Sequence, residues 1–67
     1  MIQILLNGKT TQSQAEMPLF DFLEQEKLNP KLIAIEYNGE ILHRERWEAQ
    51  KLAEGDRLEV VTIVGGG

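Results

Sequence analysis

Residues 54–67 read EGDRLEVVTIVGGG. A turn signal, Glu54-Gly55-Asp56, opens onto the most β-prone run of the chain, Arg57 to Val64, and three glycines follow without a polar spacer. Valine, isoleucine and threonine suit a pleated, half-buried surface, so this run is expected to be a strand. Successive side chains of a strand point to opposite faces. Leu58, Val60 and Thr62 therefore share one face, and Glu59, Val61 and Ile63 share the other. Glu59 belongs in water, which assigns Leu58 and Val60 to the core and leaves Val61 and Ile63 on the open side.

At the start of the chain, IQILL (Ile2 to Leu6) is a second strand, with Ile2, Ile4 and Leu6 turned to the core and Gln3 and Leu5 away from it. Asn7-Gly8 separates it from KTTQS. Both central residues of a type I′ turn need positive φ, so Asn-Gly between strand runs marks a hairpin, here with a solvated edge strand. EMPLFDFLEQEKLNP predicts the main helix. Pro18 suits the first turn. Leu19, Phe22 and Leu23 form one apolar stripe with Leu28 closing the end, while Asp21, Glu24, Gln25 and Glu26 face outward. Asn29-Pro30 is expected to stop this helix, because proline disfavours helical geometry in the residue before it. Ile33, Ile35 and Tyr37 line one side of the next strand, which Asn38-Gly39 turns into a short one at Ile41-Leu42. HRERWEAQKLAEGD reads as a polar loop with one short helical turn, anchored by Trp47 and Leu52.

Strand, strand, helix, strand, short strand, strand, joined by right-handed connections, places the last strand parallel to the first in the middle of the sheet. The expected fold class is α+β: a ubiquitin-like β-grasp, with a mixed sheet of four to five strands and one main helix packed on one face. Residues 1–64 form this domain, and residues 65–67 form a flexible glycine tail.

A chain of 67 residues is one domain with one small core. It contains no cysteine, so neither a disulfide framework nor a thiolate metal site supports it. The net charge is −4 and the seven cations are scattered, which argues against nucleic acid as a partner. No basic, apolar leader and no apolar run of about 20 residues is present, so neither export nor a membrane is expected, and the cytoplasm is the default location. His43 is the single histidine, with no nucleophile or second ligand beside it, and Asp21, Glu24 and Glu26 read as the wet side of the helix. Intrinsic catalysis and metal binding are therefore not expected.

The glycines carry the chemistry. Three extended residues reach about 10 Å beyond Val64, enough to thread a narrow channel while the folded body docks outside. Without Cβ atoms the backbone passes walls that exclude other residues, and nothing hinders a nucleophile approaching the last carbonyl. A free carboxylate is unreactive, so Gly67 must first be activated, most simply as an acyl-adenylate made with ATP. A sulfur donor that displaces AMP then leaves an anionic thiocarboxylate. Leu5, Val61 and Ile63 are expected to form an exposed apolar patch beside the root of the tail, where a partner grips.

Several stretches resemble the ThiS family of thiamin-pathway sulfur carriers, and the likeness covers essentially the whole chain. They are NGEILHRERW (Asn38 to Trp47), Gly55-Asp56 leading through the last strand into Gly66-Gly67, the β-grasp pattern and the absence of cysteine. A proline common in the family is His43 here. The resemblance implies that Gly67 is adenylated by a ThiF-type adenylating enzyme using ATP, and becomes a C-terminal 1-thioglycine. It implies that the sulfur comes from cysteine through a cysteine desulfurase and passes to a ThiG-type thiazole synthase. Gly66 is then the second residue of the diglycine, Gly65 a spacer, and the chain a co-substrate that binds no cofactor itself. A MoaD-like small subunit of molybdopterin synthase shares the fold and tail but is usually longer. A ubiquitin-like protein modifier uses the same terminal chemistry. A passive β-grasp binding module is the reading of another class, and it keeps its function when the glycines are removed.

Overall fold

A computed structural model describes residues 1–63. Its strands are β1 (Ile2–Leu6), β2 (Lys9–Ser13), β3 (Ile33–Tyr37), β4 (Glu40–Ile41) and β5 (Arg57–Thr62), with the helix α1 (Leu19–Gln25). They form one sheet in the order β2-β1-β5-β3-β4. β1 and β5 run parallel, and the other neighbouring pairs run antiparallel. The last strand thus lies beside the first inside the sheet, and β2 is an edge. This is the ubiquitin-like β-grasp arrangement.

Both hairpins turn on Asn-Gly. Asn7 and Gly8 have φ of 51° and 81°, and Asn38 and Gly39 have 52° and 87°. Positive φ at both central positions is what a type I′ turn demands, and it suits the right-handed twist of the flanking strands. The turns set the registers Leu6↔Lys9 and Tyr37↔Glu40.

The apolar stripe of α1 lies on the sheet, with Leu19, Phe22 and Leu23 buried against Ile4, Ile33, Ile35 and Leu58. Burying one such side chain is worth about 1.5–3 kcal/mol. Trp47 and Leu52 complete the core from the long connection before β5. The Trp47 indole N–H donates to the Leu42 carbonyl at 2.9 Å, so its polar edge is satisfied inside the core. The surrounding residues, Arg44–Ala49, form a 3₁₀ helix, which is the short helical turn expected there. Backbone bonds attach this connection to the start of α1: Leu19 N–H donates to Gln50 and Leu52 N–H donates to Met17, each at 2.9 Å.

The helix ends sooner than the Asn29-Pro30 rule suggests. Lys27 takes φ of 60°. The Lys27 N–H donates to Glu24 at 3.0 Å, and the Leu28 N–H donates to Leu23 at 2.8 Å. This pair of bonds is a Schellman motif, which closes a helix by satisfying its last carbonyls. Glycine usually occupies the left-handed position, and lysine there hid the signal. Leu28 folds back against the core, so its apolar contact helps offset the strain. Asn29-Pro30 instead opens a 3₁₀ turn, Pro30–Leu32, in which the Asn29 side chain accepts the Lys31 N–H at 3.0 Å.

Candidate functional site

The two ends of β5 differ. At its start, the carboxylate of Asp56 is buried. It accepts hydrogen bonds from the Tyr37 hydroxyl, from Asn38 Nδ2 at 3.1 Å and from the Ala53 N–H at 2.7 Å. Burial, and then the adjacent Asp56 carboxylate, push the Tyr37 phenol well above its ordinary pKa. Asn38 also pairs with Arg57: its N–H donates to the Arg57 carbonyl and its Oδ1 accepts the Arg57 N–H, both at 2.8 Å. These contacts lock the entry to β5 against the β3–β4 turn.

At its far end, β5 outruns its parallel neighbour. The β1–β5 pairing reaches Leu6↔Leu58, and the chain then turns back at Asn7-Gly8. Asn7 finishes the ladder: its N–H donates to the Leu58 carbonyl at 2.8 Å and its Oδ1 accepts the Val60 N–H at 2.7 Å. Past that point β5 lies along β3, and the Ile63 N–H donates to the Leu32 carbonyl at 2.6 Å. Val61, Ile63, Leu32 and Ile41 are exposed there by 60%, 52%, 51% and 70%. Ala34 stands opposite Val61 in the register. A depression of about 180 Å³ opens among Ala34, Ile35, Glu36, Ile41, Glu59 and Val61. Contiguous exposed apolar surface of this kind marks interaction sites.

Val61 is exposed opposite Ala34, and Ile63, just past the end of β5, is exposed as well. Leu5 is also exposed, but not beside them. It pairs with Arg57, four residues before Val61, which is about 13 Å along the strand. The reason is the parallel register, which halts β1 before β5 has finished. Leu32 and Ile41 take its place in the patch. The signal for Ile41 was its hairpin pairing with Glu36; Leu32 ends a 3₁₀ turn, where no strand alternation marks it. Gly65, Gly66 and Gly67, with Val64, lie outside the described residues.

The Arg44-to-Trp47 motif serves the fold. The Arg44 guanidinium lies 4.5 Å from the centre of the Trp47 ring, and its Nη2 donates to the Ile33 carbonyl at 3.3 Å. His43 is exposed at the start of that 3₁₀ helix. Among the described residues, no group of three or more histidine, aspartate or glutamate side chains is placed to hold a metal. No described helix is long and apolar enough to cross a membrane.

A family model described as the ThiS family matches residues 3–67. The chain is 35% identical over 63 residues to the sulfur carrier protein ThiS of Bacillus subtilis, covering 92% of this chain and 96% of that protein. The crystal structure of the thiamine biosynthesis protein ThiS from Geobacter metallireducens superposes with a TM-score of 0.85 at 28% identity, covering 98% of this chain and 100% of that one. A thiazole synthase of Paramagnetospirillum magneticum is 27% identical over 66 residues, which is 98% of this chain and 20% of that protein.

Proposed function

The chain belongs to the ThiS family and carries sulfur in thiamin biosynthesis, and from that premise we propose that its working group is the carboxylate of Gly67. A ThiF-type adenylating enzyme binds ATP, and a Gly67 carboxylate oxygen attacks the α-phosphorus while pyrophosphate leaves. A cysteine desulfurase holds sulfur drawn from cysteine as a persulfide. Its terminal sulfur attacks the activated carbonyl and AMP leaves. A thiol then cleaves the resulting acyl disulfide, forming a disulfide with the donor and leaving the thiocarboxylate. A ThiG-type thiazole synthase takes that sulfur into the thiazole ring. A thiazole synthase that includes a segment similar to this chain supports such a partner. The folded body works in the cytoplasm as a co-substrate, and ATP is bound by the enzyme rather than by this chain.

The observation that carries this reading is where the apolar surface collects. Val61, Ile63, Leu32 and Ile41 are exposed around the end of the strand that leads to the glycines. A partner that grips at Ile63 holds the chain within about 14 Å of Gly67, the reach of the four residues that follow when extended. Glycine alone from Gly65 to Gly67 lets the backbone enter a slot lined closely on all sides.

Incubation with the cognate adenylating enzyme, ATP and a sulfur source should raise the intact mass by the exchange of one oxygen for one sulfur. Deleting Gly66 and Gly67 should abolish that exchange and leave the unfolding temperature unchanged. A truncated chain that unfolds, or one that is still thiolated, overturns the proposal.

A further inference from the structure

The open face carries a charge arrangement that the fold itself does not need. Register pairs Glu36 of β3 directly with Glu59 of β5, and both side chains are exposed. Side chains so placed stand about 4.5–5.5 Å apart at Cβ, and like charges there destabilise a sheet. Arg57, on the same face of β5, reaches instead toward Gly39 in the hairpin turn. Ile41 flanks Glu36 from β4, and Ala34 and Val61 form the next open-face pair along the two strands. Glu36, Glu59, Ala34, Ile41 and Val61 all line the depression of about 180 Å³, which is thus apolar on one side and doubly anionic on the other.

We propose that this depression receives a lysine or arginine side chain from the ThiF-type adenylating enzyme, its stem against Ala34, Ile41 and Val61 and its head between Glu36 and Glu59. The inference rests on the sulfur-carrier reading and names one recognition element within it. Lysine and arginine combine an apolar stem with a charged head, which matches the mixed lining. Paired carboxylates bind such a head by charge-assisted hydrogen bonds. A divalent cation takes six to eight converging oxygens, and no metal-holding group of three or more such side chains occurs among the described residues. The face is continuous with the exposed Val61 and Ile63 that lead to the tail, so one partner surface covers both. In the free protein the two carboxylates repel each other, and the incoming cation relieves that repulsion. The pair therefore contributes opposite signs to folding and to docking.

The test is a titration of the full chain with the cognate adenylating enzyme and ATP at low and high salt, together with thermal unfolding. The Glu36→Gln/Glu59→Gln variant keeps the shape and removes both charges. It is expected to unfold at a higher temperature, bind roughly tenfold more weakly at low salt, and lose most of its salt dependence. Asp21→Asn/Glu24→Gln removes the same charge from the outer side of α1 and is expected to bind within about twofold of wild type. Wild-type chain that is thiolated normally while the Glu36/Glu59 variant binds equally well overturns this inference alone. Equal weakening by the two variants also overturns it, because long-range charge then suffices. Wild-type chain that the enzyme neither binds nor adenylates overturns the sulfur-carrier chemistry and this inference together.

Discussion

The two ends of β5 divide the labour of the molecule. The entry is a closed polar knot in which Asp56, Tyr37, Asn38, Ala53 and Arg57 satisfy one another across two turns. The exit has a single neighbouring strand and an apolar surface open to water, and it follows two like charges that face each other in the middle of the strand. A small domain has few interactions to distribute. Here the specific, directional ones lie where the chain enters the sheet, which fixes the register of the whole strand. Its far end exposes apolar side chains to water, the surface that the proposed docking would cover.

Three changes test that division, in order of expected size. Asp56→Ala strips the acceptor from three donors and should cost about 2–4 kcal/mol of stability in denaturant unfolding, while the protein that stays folded is still adenylated. If stability does not change, the entry is not the lock. Val61→Asp should weaken docking to the adenylating enzyme about tenfold, or about 1.4 kcal/mol, with little change in unfolding. Leu5→Asp, on the same face but at the other end, should stay within about twofold. Equal losses from the two would extend the docking surface over the whole open sheet and remove the contrast.

A fourth change concerns pH. Tyr37→Phe should cost about 1 kcal/mol, the usual net worth of a hydrogen bond. Because the folded Tyr37 phenol is held above its ordinary value, the unfolded chain ionises first, near pH 10. Stability is therefore fully present below that pH and falls as the pH rises further. The Tyr37→Phe variant should lack this part of the decline in unfolding scans from pH 8 to pH 11. If its profile runs parallel to that of wild type, the knot does not hold the proton.

What the sequence made legible was local. Asn7-Gly8 and Asn38-Gly39 announce their turns because few other residue pairs accept positive φ twice. Glu59 betrays the face of its strand because a lone carboxylate does not enter an apolar core. What stayed hidden depends on partners distant in the chain. The contacts from Asp56 to Tyr37 and Asn38 span 19 and 18 residues. The displacement of Leu5 from the patch follows from the offset between β1 and β5, which no alternation pattern encodes. The early end of α1 was missed for a different reason: Lys27 holds a conformation that its side chain does not advertise. The apolar surface was thus half read, with Val61 and Ile63 evident and Leu32 and Ile41 visible only once the strands were aligned.

Asn7 has a mechanical consequence. By ending the β1 ladder at Val60 while β3 and the Leu32 carbonyl before it bond the chain as far as Ile63, it leaves the segment from Val61 onward clamped along one side only, like a short cantilever. Such a beam yields sideways more readily than lengthwise, so its heading at Ile63 is inherited from β3. In the docking proposed above, an enzyme that seats the sheet face would meet Ile63 already oriented by β3, and changing that orientation would mean re-cutting β3.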